Sequence, residues 1–194
     1  MRKYIVAAIL AGTVATPALA QDASGPFSGV RVEGIVGYDT TDVEGDGSNG
    51  ILYGPGVGYD FQAGNLIVGI EGEATDSTID ECVDGAVIAT DTLCAKFGRD
   101  LYVGGRIGGQ IGSNALLYAK AGYTNARVAI DYEDGTAGTV NDFNIGDELD
   151  GLRVGGGLEF AIGTNAYAKA EYRYSNYEQG FDKHQGVVGF GFRF

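Results

Sequence analysis

The sequence predicts an all-β chain: an eight-stranded antiparallel transmembrane β-barrel with short periplasmic turns and longer extracellular loops. Three observations predict it. Apolar residues recur at every second position through eight segments, the period of a strand with one apolar face and one small or polar face. Connections between the segments alternate long and short. The three short ones carry Gly and Asn, with Asn65, Asn114 and Asn165 about 50 residues apart, so the chain reads as successive tight hairpins. Finally, the charges within the strands fall on one face and leave the other nearly free of charge. No later stretch reads as a membrane-spanning helix, because charges or glycines interrupt every apolar run.

Residues 1–20 read as a cleaved signal peptide: Arg2 and Lys3, an apolar run from Ile5 to Val14, then Ala18-Leu19-Ala20 before Gln21. Residues 21–194 are expected to form one barrel domain. The first strand, Phe27 to Tyr38, sets Val30, Val32, Val36 and Tyr38 against Arg31, Glu33 and Gly37, with Ile35 as an exception. An acidic loop is expected from Asp39 to Asn49. The second strand runs from Ile51 to Phe61. After Gln62-Ala63-Gly64-Asn65 the third, Leu66 to Ala74, sets Leu66, Val68 and Ile70 against Glu71 and Glu73. A long connection, Thr75 to Phe97, holds both cysteines. The fourth strand, Asp100 to Ile111, opposes Leu101, Val103, Ile107 and Ile111 to Tyr102, Arg106 and Gln110.

The fifth strand, Leu116 to about Ile130, sets Leu117, Ala119, Ala121 and Tyr123 against Tyr118, Lys120 and Thr124. A second acidic loop spans about Asp131 to Asp150. The sixth strand, Leu152 to Ile162, sets Val154, Leu158 and Phe160 against Arg153 and Glu159. The seventh, Tyr167 to Tyr174, alternates Ala168, Ala170, Tyr172 and Tyr174 with Lys169, Glu171 and Arg173. The last, His184 to Phe194, puts Val188, Phe190, Phe192 and Phe194 on one side and Arg193 on the other. Tyrosines and phenylalanines at strand ends fit interfacial girdles. A soluble barrel with a ligand cup shares the alternation, but does not need such girdles or a terminal phenylalanine.

The formal charge is −13, or about −15 without Arg2 and Lys3, and excludes nucleic acid as an expected partner. Cys82 and Cys94 lie 12 apart. An exported chain meets an oxidising compartment, so the two are expected to pair, a loop closure worth about 3 kcal/mol in the chain-entropy account. Inside the barrel the expected charge network is Arg31, Glu33, Glu71, Glu73, Arg106, Lys120, Arg153, Glu159, Lys169, Glu171, Arg173 and Arg193. Eight strands leave an interior just wide enough for side chains, so opposite charges there should pair as a plug. A water-filled pathway, a narrow diffusion pore for small solutes or ions, is the alternative.

No catalytic residue and no cofactor is expected. The only histidine is His184, and no serine stands two residues on, where Gly186 is found. Asp42, Glu44 and Asp46 lie at alternate positions before Gly47, like the first half of a calcium loop, but Tyr53 stands where the closing Glu is needed. They are the metal candidates the sequence offers, with the closing ligand missing. Looser divalent bridging to outer-leaflet lipid, lipopolysaccharide included, is the milder expectation for the acidic loops.

PFSGVRVEGIVGYD, LYAKAGYTNARV, YAKAEYRYSNY and the ending GVVGFGFRF resemble the small outer-membrane β-barrels of alphaproteobacteria, a group that includes outer membrane protein A-like, opacity-type and immunogenic porin-like surface proteins. The resemblance covers essentially the whole mature chain. It implies a monomer in the outer membrane of a Gram-negative cell that acts in envelope integrity, surface interaction or narrow-pore permeation. The ending is the most specific piece. Phe190, Phe192 and Phe194 are similar to the C-terminal signal read by the barrel-assembly machinery, which is thereby implied as a partner during biogenesis. Some relatives carry a peptidoglycan-binding domain after the barrel; this chain stops at Phe194.

Overall fold

A computed structural model describes residues 25–43, 46–84, 92–133, 143–178 and 181–194. They form nine strands: β1 Gly29–Val43, β2 Asp46–Ala63, β3 Leu66–Ser77, β4 Asp80–Asp84, β5 Thr92–Ile111, β6 Ala115–Glu133, β7 Phe143–Ile162, β8 Ala166–Tyr177 and β9 Phe181–Arg193. All pairings are antiparallel. Eight strands close a barrel in the order β1-β2-β3-β5-β6-β7-β8-β9, with β9 returning to β1. The short β4 stands outside that ring and pairs only with the outer end of β5. In hydrocarbon no water pairs with a free backbone group, so a ring without edges is the form in which strands can span.

At the periplasmic end the spaced asparagines acquire a role. Gly64, Gly112 and Gly163 take φ of 62°, 65° and 68°, which lets three hairpins reverse within two to four residues. The carbonyls of Asn65, Asn114 and Asn165 accept hydrogen bonds from the backbone N–H of Gln110, Ala161 and Arg193 at 2.7–2.8 Å. Each turn is thereby stitched to the next hairpin around the rim. The seam between the chain's two ends is closed by reciprocal bonds between Val30 and Phe194, at 2.8 and 3.1 Å.

At the other end the strands run much further than the sequence suggests. The segments expected as loops at 39–49, 75–97 and 131–150 are largely strand, with β5 and β7 each 20 residues long. Such a strand reaches about 66 Å, whereas spanning takes about 9–11 residues. The surplus stands outside the membrane as a sheet of β4, β5, β6 and β7. Asp, Gly and Thr read as loop locally. Ladder pairing with a neighbouring strand overrides that reading, in Leu93↔Tyr132 and Tyr132↔Phe143 for example. Phe27 also departs from expectation. It lies in a turn rather than in the first strand, because Gly29 at φ 115° diverts the chain beneath the barrel.

The two faces divide as the alternation requires. Outward stand Val32, Val57, Ile70, Val103, Ile107 and Leu117 between a periplasmic girdle (Tyr59, Phe160, Phe192, Phe194) and an outer one (Tyr38, Tyr53, Tyr123, Tyr172), all exposed. Small apolar groups fill parts of the interior: Phe27, Ile67, Leu116 and Tyr118 at the periplasmic floor, and Ile35, Leu52 and Val187 nearer the outside. Ile35, out of phase in the sequence reading, belongs to the second group.

Candidate functional site

Among the described residues, the barrel interior is where many ionisable groups converge, and it is built by strand alternation. Every second residue of eight strands points inward, and at those positions glycine and long charged residues take turns. The glycines make room for the long side chains. A Cβ on Gly58 would lie 2.8 Å from the Arg31 guanidinium, and one on Gly191 would lie 2.6 Å from the Tyr167 ring. Part of the glycine abundance in this chain is therefore the complement of a crowded lumen.

All twelve of the charged residues singled out from the sequence are buried inside the barrel: Arg31, Glu33, Glu71, Glu73, Arg106, Lys120, Arg153, Glu159, Lys169, Glu171, Arg173 and Arg193. Four more charged residues join them that the sequence reading left out: Asp39, Asp60, Asp100 and Lys183. Their addition turns seven cations and five anions into eight of each among the described residues. Asp39 and Asp100 stood at the edges of presumed loops, Lys183 lay before the presumed last strand, and Asp60 was hidden between Tyr59 and Phe61. Strict two-residue counting from Arg31, Arg106 and Arg193 is the signal that finds Asp39, Asp100 and Lys183, while Asp60 is found as the residue out of phase with Val57, Tyr59 and Phe61.

The network has three tiers. In the lowest, Asp60 gathers three arginines: it accepts from Arg31 Nε at 3.1 Å and from Arg106 Nε and Nη2 at 2.8 and 2.5 Å, and it forms an ion pair with Arg193 Nη2 at 3.2 Å. Glu159 takes Arg106 at 2.9 Å and Arg193 at 2.6 Å. Beneath this tier, the Phe27 ring lies under the Arg193 guanidinium at 5.7 Å, and its N–H donates to Gln62 Oε1 at 3.1 Å.

In the middle tier, Glu33 takes Lys169 at 2.6 Å and the Tyr167 hydroxyl at 2.7 Å. Glu71 takes Arg31 and Lys120, Glu73 takes Lys120 and Arg173, and Glu171 takes Arg173, Lys120 and the Tyr118 hydroxyl. Lys120 also sits 4.4 Å over the face of Tyr102, an added cation–π contact. In the upper tier, Asp100 takes Arg153 at 2.5 Å, Thr124 at 2.7 Å and Tyr177 at 2.8 Å, while Lys183 pairs with Asp39 at 3.0 Å.

Burial decides what this arrangement can do. Arg31, Arg153 and Arg173 present none of their surface to a water-sized sphere, and no other member of the network exceeds 6 %. A conducting lumen needs water beside its charges, and these side chains expose little surface to it. The desolvation cost of so many charges is offset because most have two or more opposite partners, with guanidinium forks fixing the geometry of many of these pairs, while Asp39 and Lys183 pair with each other.

The remaining sequence candidates lie elsewhere. Asp42 and Asp46 belong to the β1–β2 tip, where Asp42 pairs in register with Gly47 and Val43 with Asp46, while Glu44 lies outside the described residues. Cys82 and Cys94 stand directly opposite each other in the β4–β5 register, in the sheet outside the membrane. Residues 1–20 lie outside the described residues. His184 faces outward near the outer girdle, with Nδ1 2.6 Å from the Tyr172 hydroxyl. Phe190, Phe192 and Phe194 are exposed on the lipid side, with the rings of Phe190 and Phe192 edge to face at 5.5 Å.

A closed eight-stranded ring with an apolar belt, aromatic girdles and a polar interior defines an outer-membrane β-barrel. The comparisons then place the chain: it belongs to the outer membrane protein beta-barrel domain family, whose model matches residues 6–194. It is 26% identical over 187 residues to a 22 kDa outer membrane protein of Rhizobium leguminosarum bv. viciae, in an alignment covering 88% of this chain and 80% of that protein. In three dimensions it is similar to the attachment invasion locus protein Ail of Yersinia pestis, solved with the heparin analogue sucrose octasulfate, at 16% identity and a TM-score of 0.55. That match covers 86% of this chain and 99% of the other. Neisserial surface protein A is similar at 14% identity and a TM-score of 0.57, over 86% of this chain and 98% of that one. At these identities the structural likeness speaks for the fold. The protein is an outer-membrane barrel of this type.

Proposed function

We propose that this barrel serves as a closed structural element of the outer membrane, contributing to envelope integrity and presenting its outer strands to lipid or external surfaces. The observation that carries the reading is the balanced interior. Eight cations and eight anions interlock in three tiers with no water-accessible surface above 6 %. Charge balance removes the field that a selective pore would need, and dense burial removes the water through which it would conduct. Below the tiers, Phe27 is fully buried in the apolar floor. What remains for interaction is the outside: the apolar belt, and the β4–β7 sheet standing beyond the membrane with Cys82 and Cys94 paired in register across β4 and β5. A disulfide there would hold the outer hairpin in one register. The closed ring supports a monomer, because it offers no open strand edge within the bilayer to a second copy.

A swelling assay tests the reading. Liposomes carrying the refolded protein are diluted into isotonic arabinose. The closed barrel gives the swelling rate of protein-free liposomes. A rate that rises with protein content would make the barrel a narrow diffusion pore and the inward charges its filter.

A further inference from the structure

The outward face of β8, β9 and β1 holds a small built notch at the height of the outer girdle. Tyr172 pairs in register with Gly186, and Gly186 with Tyr38, so a glycine stands between two tyrosines. Both tyrosines are 57 % exposed, and a Cβ on Gly186 would meet nothing within 4 Å. Strand spacing puts the two tyrosine backbones about 10 Å apart, with an empty floor between them. One register step outward, His184 stands between Tyr174 and Thr40. Its Nδ1 meets the Tyr172 hydroxyl at 2.6 Å, and its ring centroid lies 5.1 Å from that of Tyr174. A further step out, Asn176 Nδ2 donates to Asp182 Oδ1 at 2.6 Å.

The chemistry of this notch is specific. Two exposed aromatic faces flank a slot without a side chain. The His184 imidazole and the Tyr172 hydroxyl border its outer end, and the Asn176–Asp182 pair stands about 13 Å beyond Gly186 along the strand. Aromatic faces attract the C–H faces of a sugar ring, while the polar border matches its hydroxyls as donor and acceptor. A phosphate fits poorly, because the neighbouring cations Arg173 and Lys183 are buried in the lumen and offer it no charge. Girdle tyrosines mark the headgroup boundary, so the slot opens into the sugar layer of the outer leaflet.

We propose that the Tyr38–Gly186–Tyr172 notch, bordered by His184, binds one pyranose ring of an outer-leaflet glycolipid. The proposal rests on the membrane placement of the barrel and is independent of whether the lumen conducts. It gives the lipid-contacting role a defined address on β8, β9 and β1.

His184 is the only histidine in the chain, so ¹⁵N-histidine labelling gives one imidazole to follow. The refolded protein in phosphocholine micelles is titrated with purified lipopolysaccharide and, separately, with phosphatidylglycerol, which carries the anionic phosphate without a sugar ring. The expected result is a saturable shift of the His184 ring signals with lipopolysaccharide and none with phosphatidylglycerol. Gly186→Leu fills the slot from an open position and should leave the barrel folded, as checked by its compact mobility in unheated detergent gels. It should bind about tenfold more weakly or worse. An equal response to phosphatidylglycerol, no saturable shift with lipopolysaccharide, or an unchanged titration in folded Gly186→Leu overturns the proposal. Swelling by arabinose reports on the lumen alone, so the two readings fail separately.

Discussion

Replacing Asp60 by Asn should destabilise the barrel more than any single change at an exposed ion pair. Asp60 is fully buried, accepts from Arg31 and Arg106 and is ion-paired with Arg193. Removing one partner from a buried charge pair costs about 3–5 kcal/mol, most of it the penalty of the charge left behind. Here the three arginines retain other partners, Arg31 with Glu71 and Glu33, Arg106 and Arg193 with Glu159. The expected loss is therefore at the lower end, about 3 kcal/mol. With an m-value of about 2 kcal/mol/M in urea, the unfolding midpoint should fall by about 1.5 M. Tyrosine fluorescence of the vesicle-inserted protein is a suitable probe, since the chain has 12 tyrosines and no tryptophan. Glu148→Gln is the control. Its pair with Arg99 is 3.2 Å long, with side chains 45% and 62% exposed, and such a pair contributes about 0–1 kcal/mol. A midpoint for Asp60→Asn within about 0.3 M of the unmodified protein would refute the reasoning, because the tier would then not be a single interlocked unit.

Three further outcomes follow from the geometry. Phe27→Ala removes a fully buried ring from the periplasmic floor and should cost about 3–5 kcal/mol, read as a lowered urea midpoint. Gly163→Ala should cost about 1–2 kcal/mol through its φ of 68° alone, since a Cβ there meets nothing within 4 Å; Gly163→Asn should cost less, and equal costs would point away from backbone strain. If Cys82 and Cys94 are joined, as their register invites, unreduced and unfolded protein should take up no maleimide by mass spectrometry; uptake of two would show free thiols.

How much of this was legible beforehand depended on where the physics is local. The alternation of Leu66, Val68 and Ile70 with Glu71 and Glu73, or of Ala168 and Ala170 with Lys169 and Glu171, is a property of the strand itself, and the sequence carries it in full. The tight turns are equally local, because Gly64, Gly112 and Gly163 need positive φ. The role of Asn65, Asn114 and Asn165 was not local: their spacing is visible, but the carbonyl bonds that stitch each turn to the next hairpin join residues 28 to 47 apart. The same holds for strand length. Segments such as Asp39 to Asn49 carry loop residues, and only pairing across β1 and β2 extends the ladder to Val43↔Asp46. Drawing the strands too short then hid Asp39 and Lys183, which pair at 3.0 Å inside the barrel. Asp60 was hidden for another reason: flanked by two aromatics, it looked like an interruption in an apolar strand rather than the partner of three arginines.

The central claim is a lumen closed by its own charges, and single-channel recording in planar bilayers tests it most directly. The refolded protein is compared with a variant carrying Arg106→Ala and Arg153→Ala, which removes one cation from the lowest tier and one from the upper. The account predicts a silent bilayer for the unmodified protein and stepwise openings only for the variant. Steady stepwise openings of the unmodified protein would contradict it and turn the sixteen buried charges into the walls of a pore.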